Sequence, residues 1–186
     1  TLWWGESLCR SCRNPSGRYD RQLTMSLSFG LISLVLGSQS ALTPDQQLDF
    51  WIGEWECSGR SRNKPGEDVW TNTAATNSVR KILGGKVIEE NFKMAGFDGK
   101  SVSVYDQNSK QWRQTWVDSS GGYLVLTGGR RGDTFELKQV MGPKAPTGLQ
   151  MRMVFTDIKA ASFSWHWQRS NDAGKTWETQ WTLAYT

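Results

Sequence analysis

The sequence predicts an all-β fold, an antiparallel up-and-down β-barrel with a short N-terminal helix, and three observations carry that reading. Period-two runs recur from Trp51 onward, Gly-rich or Asn/Asp-rich clusters interrupt them, and the large aromatics fall on alternate positions within the runs. Short strands at regular spacing with turn chemistry between them are the pattern of a barrel or sandwich. Alternate residues of a strand point to one face, so aromatic rows backed by polar rows imply a sheet with one buried and one wetted side.

The elements follow in chain order. TPDQQLDFW places Thr43 as a cap and Pro44 at the first helical position, the layout of a short helix. WIGEWECSGR then opens the strands and NKPGED closes the first turn. KVIEENFKM is followed by AGFDG, SVSVYD by QNSK, QWRQTWVD by SSGG, YLVLT by GGRRGD and TFELKQV by MGPKAPTG. LQMRMVFTDI, SFSWHWQRS and TWETQWTLAY complete the set. Parity groups Trp51 with Trp55 and Cys57, Trp112 with Trp116, Met151 with Met153 and Phe155, and Phe163 with Trp165 and Trp167. It also groups Trp177 with Trp181, Leu183 and Tyr185. Rows of this kind are ordinarily core, but a barrel of eight or more strands encloses space that side chains need not fill.

The first 41 residues do not share this pattern. Residues 25–41 combine the uncharged run LSFGLISLVLG with the small residues of GSQSA, the order of a secretory signal peptide cleaved near Ser40 or Ala41. Residues 1–24 have no periodicity, and translation is expected to begin at Met25. The apolar run is about half the ~20 residues a spanning helix needs, so no stable membrane anchor is expected. The expected organisation is therefore an upstream segment 1–24, a signal peptide 25–41 and a barrel domain 42–186, in a secreted or periplasmic protein.

Setting residues 1–41 aside removes four of the 22 basic and two of the 18 acidic residues, and the net charge falls from +4 to +2. No basic footprint for a nucleic-acid partner remains. Cys9 and Cys12, spaced as CRSC, go as well, leaving Cys57 with no internal disulfide partner. The CRSC pair has no second pair and no strand-helix context, which a redox or metal site requires.

The Gly53-Glu54-Trp55 triplet after a short helix resembles the Gly-x-Trp signature of lipocalins. LDFWIGEW, with QWRQTWVDSSGGYLVLTGG and a closing DAGKTWETQW, is similar to a bacterial domain family of unknown function with a lipocalin-like (calycin-type) barrel. The resemblance spans residues 48 to 185. It implies a fold and a cavity, with no activity to carry over. In lipocalins the signature Trp packs at the closed end beneath a basic residue of the last strand, and the final WTLAYT holds no Arg or Lys.

The leading functional expectation is non-catalytic binding of a small apolar or aromatic-containing molecule inside the barrel. Trp112, Trp116, Trp165 and Trp167 would give stacking surface, Gln114 a polar handle, and Glu90 with Arg169 an inner ion pair, because both share parity with core residues and a buried charge needs a partner. The alternatives are an enzyme using Glu90, marked by a strongly raised pKa in a dry pocket, and an interaction module with a filled barrel. His166 sits between Trp165 and Trp167 and faces the polar side, which argues against haem ligation. No cofactor and no metal site are expected, since one His supplies too few ligands. There is no GxSxG elbow, no dyad and no phosphate loop. Glu54, Glu56, Asp106 and Asp118 are expected to be solvated charges. SNDAGKTW reads as a hairpin turn formed by Asp172 and Gly174, and Arg131-Gly132-Asp133 as a hairpin tip. The sequence leaves the oligomeric state open.

Overall fold

The computed structural model describes residues 42–186. The upstream segment, the signal peptide and the CRSC pair of the sequence reading lie outside the described residues. Ten antiparallel strands form a closed barrel in which every strand pairs with its sequence neighbours and the last pairs with the first. They are β1 (Gly53–Arg62), β2 (Trp70–Ile82), β3 (Val87–Met94), β4 (Phe97–Asp106) and β5 (Gln111–Asp118), then β6 (Tyr123–Arg131), β7 (Thr134–Gln139), β8 (Gln150–Lys159), β9 (Ser162–Ser170) and β10 (Glu178–Tyr185). Closure leaves no sheet edge unpaired, so no strand offers a template for aggregation.

The expected short helix is realised as two single 3-10 turns, Pro44–Gln46 and Asp49–Trp51. Pro44 opens the first, and the Gln46 side chain accepts hydrogen bonds from the backbone N–H and hydroxyl of Thr43. The turns thread one end of the barrel and insert Leu48 and Trp51, which are buried. Phe50 meets Phe155 at 5.4 Å and Phe163 at 5.5 Å, and Trp51 meets Phe155 at 5.3 Å. Trp55 packs on Phe163 at 4.9 Å and donates its indole N–H to the Trp51 carbonyl at 2.9 Å. Gly53 carries a φ of +156°, and a Cβ there would approach the Trp55 indole to 3.2 Å. The Gly-x-Trp triplet is thus one packing unit in which the glycine leaves room for the ring.

β2 is the strand that the aromatic pattern does not reveal. Its inward residues are Thr73, Ala75, Asn77 and Val79. Small and polar side chains there give a period-two burial pattern without a period-two hydrophobicity pattern, and hydrophobic periodicity is the signal sequence reading relies on. A second departure occurs at β10. The register with β9 shifts between Thr179 and Trp181, and such a bulge changes which side chains face inward. Trp177 therefore does not share a face with Trp181. It lies under the Arg152 guanidinium, 4.0 Å from the ring centroid.

Arg131, Gly132 and Asp133 form the β6–β7 hairpin tip as expected. Asp172 organises the β9–β10 turn by accepting from Ser170 Oγ, Thr176 N and Thr176 Oγ1.

Candidate functional site

Two levels of the interior differ in how they are filled. At the end closed by the 3-10 turns, Trp51, Trp112, Phe135 and Phe155 are almost fully buried. Toward the other end the barrel holds a cavity of about 300 Å³. Its wall carries Phe92, Phe97, Trp116, Trp165, Trp167 and Trp181. Phe97 stacks on Trp116 with centroids 6.4 Å apart, and Trp165 meets Trp181 edge-on at 5.4 Å. Gly99 makes room for this arrangement, since a Cβ on it would stand 2.0 Å from the Trp116 ring.

Between floor and cavity lies a row of polar side chains, all pointing inward. Glu90 is its centre. Asn77 Nδ2 donates to Glu90 Oε1 at 2.8 Å, and Ser101 Oγ donates to Oε2 at 2.6 Å. Asn77 also donates to the Tyr185 hydroxyl at 3.1 Å. Gln114 Nε2 donates to Ser101 Oγ at 3.2 Å and Ser103 Oγ at 3.0 Å. Glu90 is 5% exposed, and burial pushes its pKa up to about 7, opposed in part by the bonds from Ser101 and Asn77. Desolvation penalises the ionised form of a carboxyl, and among the described residues no cation stands near enough to restore it. Cys57 and Tyr185 sit beside the row, and burial raises the thiol to about 12 and the phenol well above its usual value, so both stay neutral.

Of the residues expected at the site, Glu90, Gln114, Trp116, Trp165 and Trp167 line the cavity. Trp112 does not line it. Its ring packs into the floor against Phe135 at 6.0 Å, and its N–H donates to the Pro44 carbonyl at 3.0 Å. Arg169 is corrected as well. Glu90 and Arg169 form no ion pair: Arg169 bonds Asn171 Oδ1 at 3.1 Å near the end of β9, and Glu90 is held by neutral partners. Parity placed Glu90 on the inner face, but Arg169 is not among the residues that line the cavity.

Asp118, expected as a solvated charge, lines the cavity where β5 ends. It shares parity with Trp116 and pairs with Gly99 across the ladder. The Ser120 hydroxyl and then the Trp116 indole hold its pKa down to about 2, so it is ionised at any physiological pH. Trp181 was assigned to the inner face but not to the site; it lines the cavity, and its buried N–H has no partner among the described residues. Asn77 and Ser101 are small or polar positions that hydrophobic alternation does not mark, and only the pairing of β2 and β4 with β3 brings them to Glu90.

His166 lies on the outer side, its ring nitrogens 3.2 Å from Thr156 Oγ1 and 3.1 Å from Thr182 Oγ1. Among the described residues no group of three or more His, Cys, Asp or Glu side chains is placed to hold a metal ion, and no helix is long and apolar enough to cross a membrane.

A crystal structure of a protein of unknown function from the DUF3598 family of Nostoc punctiforme aligns with 9% identity and a TM-score of 0.26, covering 78% of this chain and 98% of that one. No curated protein matches. The model of a family described as a protein of unknown function, DUF1579, matches residues 41–186, and the chain belongs to that family.

Proposed function

We propose that the barrel binds a small apolar or aromatic-containing molecule in its open half. The observation that carries this reading is the cavity of about 300 Å³, walled by indole and phenyl rings and floored by a few convergent polar groups. That volume lies at the lower end of the ~300–1,000 Å³ typical of ligand sites, whose usual lining is apolar with few polar groups. A one- or two-ring molecule fits a space of this size. Residues 25–41 support export, and we place the protein outside the cytoplasm on that ground.

Native mass spectrometry of the gently purified protein tests the reading directly. A discrete added mass lost on denaturation is expected. A second test adds the neutral probe N-phenyl-1-naphthylamine, whose fluorescence should rise saturably and stop rising when Leu126→Trp fills the cavity. Absence of saturable binding, or binding unaffected by that substitution, would count against a barrel site.

One observation favours a second reading. A fully buried glutamic acid with a pKa near 7, facing a cavity, is the property of a general acid or base. Binding leads because the lining holds no nucleophile beside it: Cys57 is a deeply neutral thiol and His166 is on the other face. Conversion of a bound molecule, seen as a mass change that Glu90→Gln abolishes while binding persists, would reverse the order.

A further inference from the structure

The charges on the cavity wall are all of one sign. Glu90 and Asp118 line it, and among the described residues no lysine, arginine or histidine does. An anionic ligand entering this space would lose its hydration beside a permanent carboxylate with no cation to compensate, and an unpaired buried charge is strongly disfavoured. A cation meets the opposite conditions. Asp118 stands ionised at the mouth, four indole rings line the wall, and cation–π attraction is strongest over tryptophan. Gln114 points the same way. It is 1% exposed, both its side-chain hydrogen bonds are donated from Nε2, and its buried Oε1 accepts from nothing among the described residues. A ligand N–H would satisfy it. The buried, unpaired N–H of Trp181 is a single neutral donor, and one such group does not hold an anion against two carboxyls.

Resting on the reading of the cavity as a binding site, we infer that it selects protonated arylalkyl amines, the ring lying among the indoles and the ammonium group directed to Glu90 and Gln114. Binding is then coupled to ionisation of Glu90. The side chains that face Glu90 from the neighbouring elements are Cys57 on β1, Asn77 on β2, Ser101 on β4, Gln114 on β5 and Tyr185 on β10. None of these carries positive charge, and the thiol and phenol stay neutral across the neutral pH range. Glu90 is the interior group that changes charge between pH 6 and 8. An ammonium ligand favours its carboxylate form, so affinity rises with pH over that interval and a proton is released on binding.

The test is calorimetric titration of the intact chain with three probes of one shape: tryptamine, its neutral alcohol tryptophol, and indole-3-acetate. Tryptamine is expected to bind at least tenfold tighter than tryptophol at pH 8 and indole-3-acetate not measurably. The tryptamine affinity should rise several-fold from pH 6 to pH 8. In Glu90→Gln, an amide of the same shape, that rise should vanish and the preference over tryptophol should shrink. Equal affinities for tryptamine and tryptophol, or tight binding of indole-3-acetate, would overturn the charge selection and leave the cavity reading standing. So would failure of all three while N-phenyl-1-naphthylamine still binds; failure of all four would overturn both.

Discussion

The floor and the open half of this barrel are built from the same materials and reach opposite states. Both are rings of tryptophan and phenylalanine projecting from alternating strands. At the floor, Leu48, Phe50 and Trp51 enter from the 3-10 turns and fill the axis, leaving side chains such as Trp51 and Phe155 at 0–1% exposure. At the other end nothing in the described residues enters, and the rings line a cavity. What separates packing from a pocket here is a plug of two short turns. Strand composition alone does not make the distinction.

The largest expected effect tests this contrast. Trp51→Ala removes the centre of the plug and should cost about 3–5 kcal/mol, the usual loss for truncating a large buried aromatic. Trp165→Ala, half-buried at a wall that is already open, should cost no more than about half of that. Chemical denaturation of the two variants decides it, and equal losses would mean that the two levels are packed alike.

The second effect lies in the polar row between them. The Glu90 pKa rises from 4.5 to about 7 on folding, so between those values the folded state holds a proton the unfolded chain has lost. Stability therefore falls as pH rises through this window, by about 1.4 kcal/mol per unit. It is greatest below pH 4.5 as far as this group is concerned. Glu90→Gln should flatten the profile between pH 5 and 7. Asp118 and Asp172, held near pH 2, act in a different window: their contribution is present above about 3.8 and is lost as pH falls toward 2. Melting profiles of wild type and Glu90→Gln separate the two.

Smaller effects probe the wall and the rim. Gly99→Ala forces the Trp116 ring to move, and overpacking of this kind costs typically 1–3 kcal/mol. It should also weaken probe binding more than it lowers stability, since Trp116 faces the cavity. Arg169→Ala should change stability by no more than about 0.5 kcal/mol, the range of ordinary surface substitutions. A loss of several times that would restore a structural role for the arginine.

Parity did most of the work in the site as well as the fold. It placed Glu90, Gln114, Trp116, Trp165 and Trp167 on one surface, and they do line one cavity. It failed where height along the barrel axis mattered. Trp112 is on the correct face but one level down, in the floor, and Arg169 lies near the end of β9, bonded to Asn171. Parity says which side of a sheet a residue takes; the stagger of ten strands says which residues share a layer. Asp118 was legible by the same parity as Trp116 and was masked by its position beside a turn. Trp177 was misplaced by the bulge that precedes Trp181, which no alternation can anticipate.

The sequence by itself determined the antiparallel class, nine of the ten strands, and the aromatic inner face, because local alternation is a property of each strand alone. Only the tertiary structure decided that β2 is a strand, that Asn77 and Ser101 hold Glu90 in place of Arg169, and that one end is plugged while the other is open. Those are consequences of register and closure, which bring together residues distant in the chain, and no single strand carries that information.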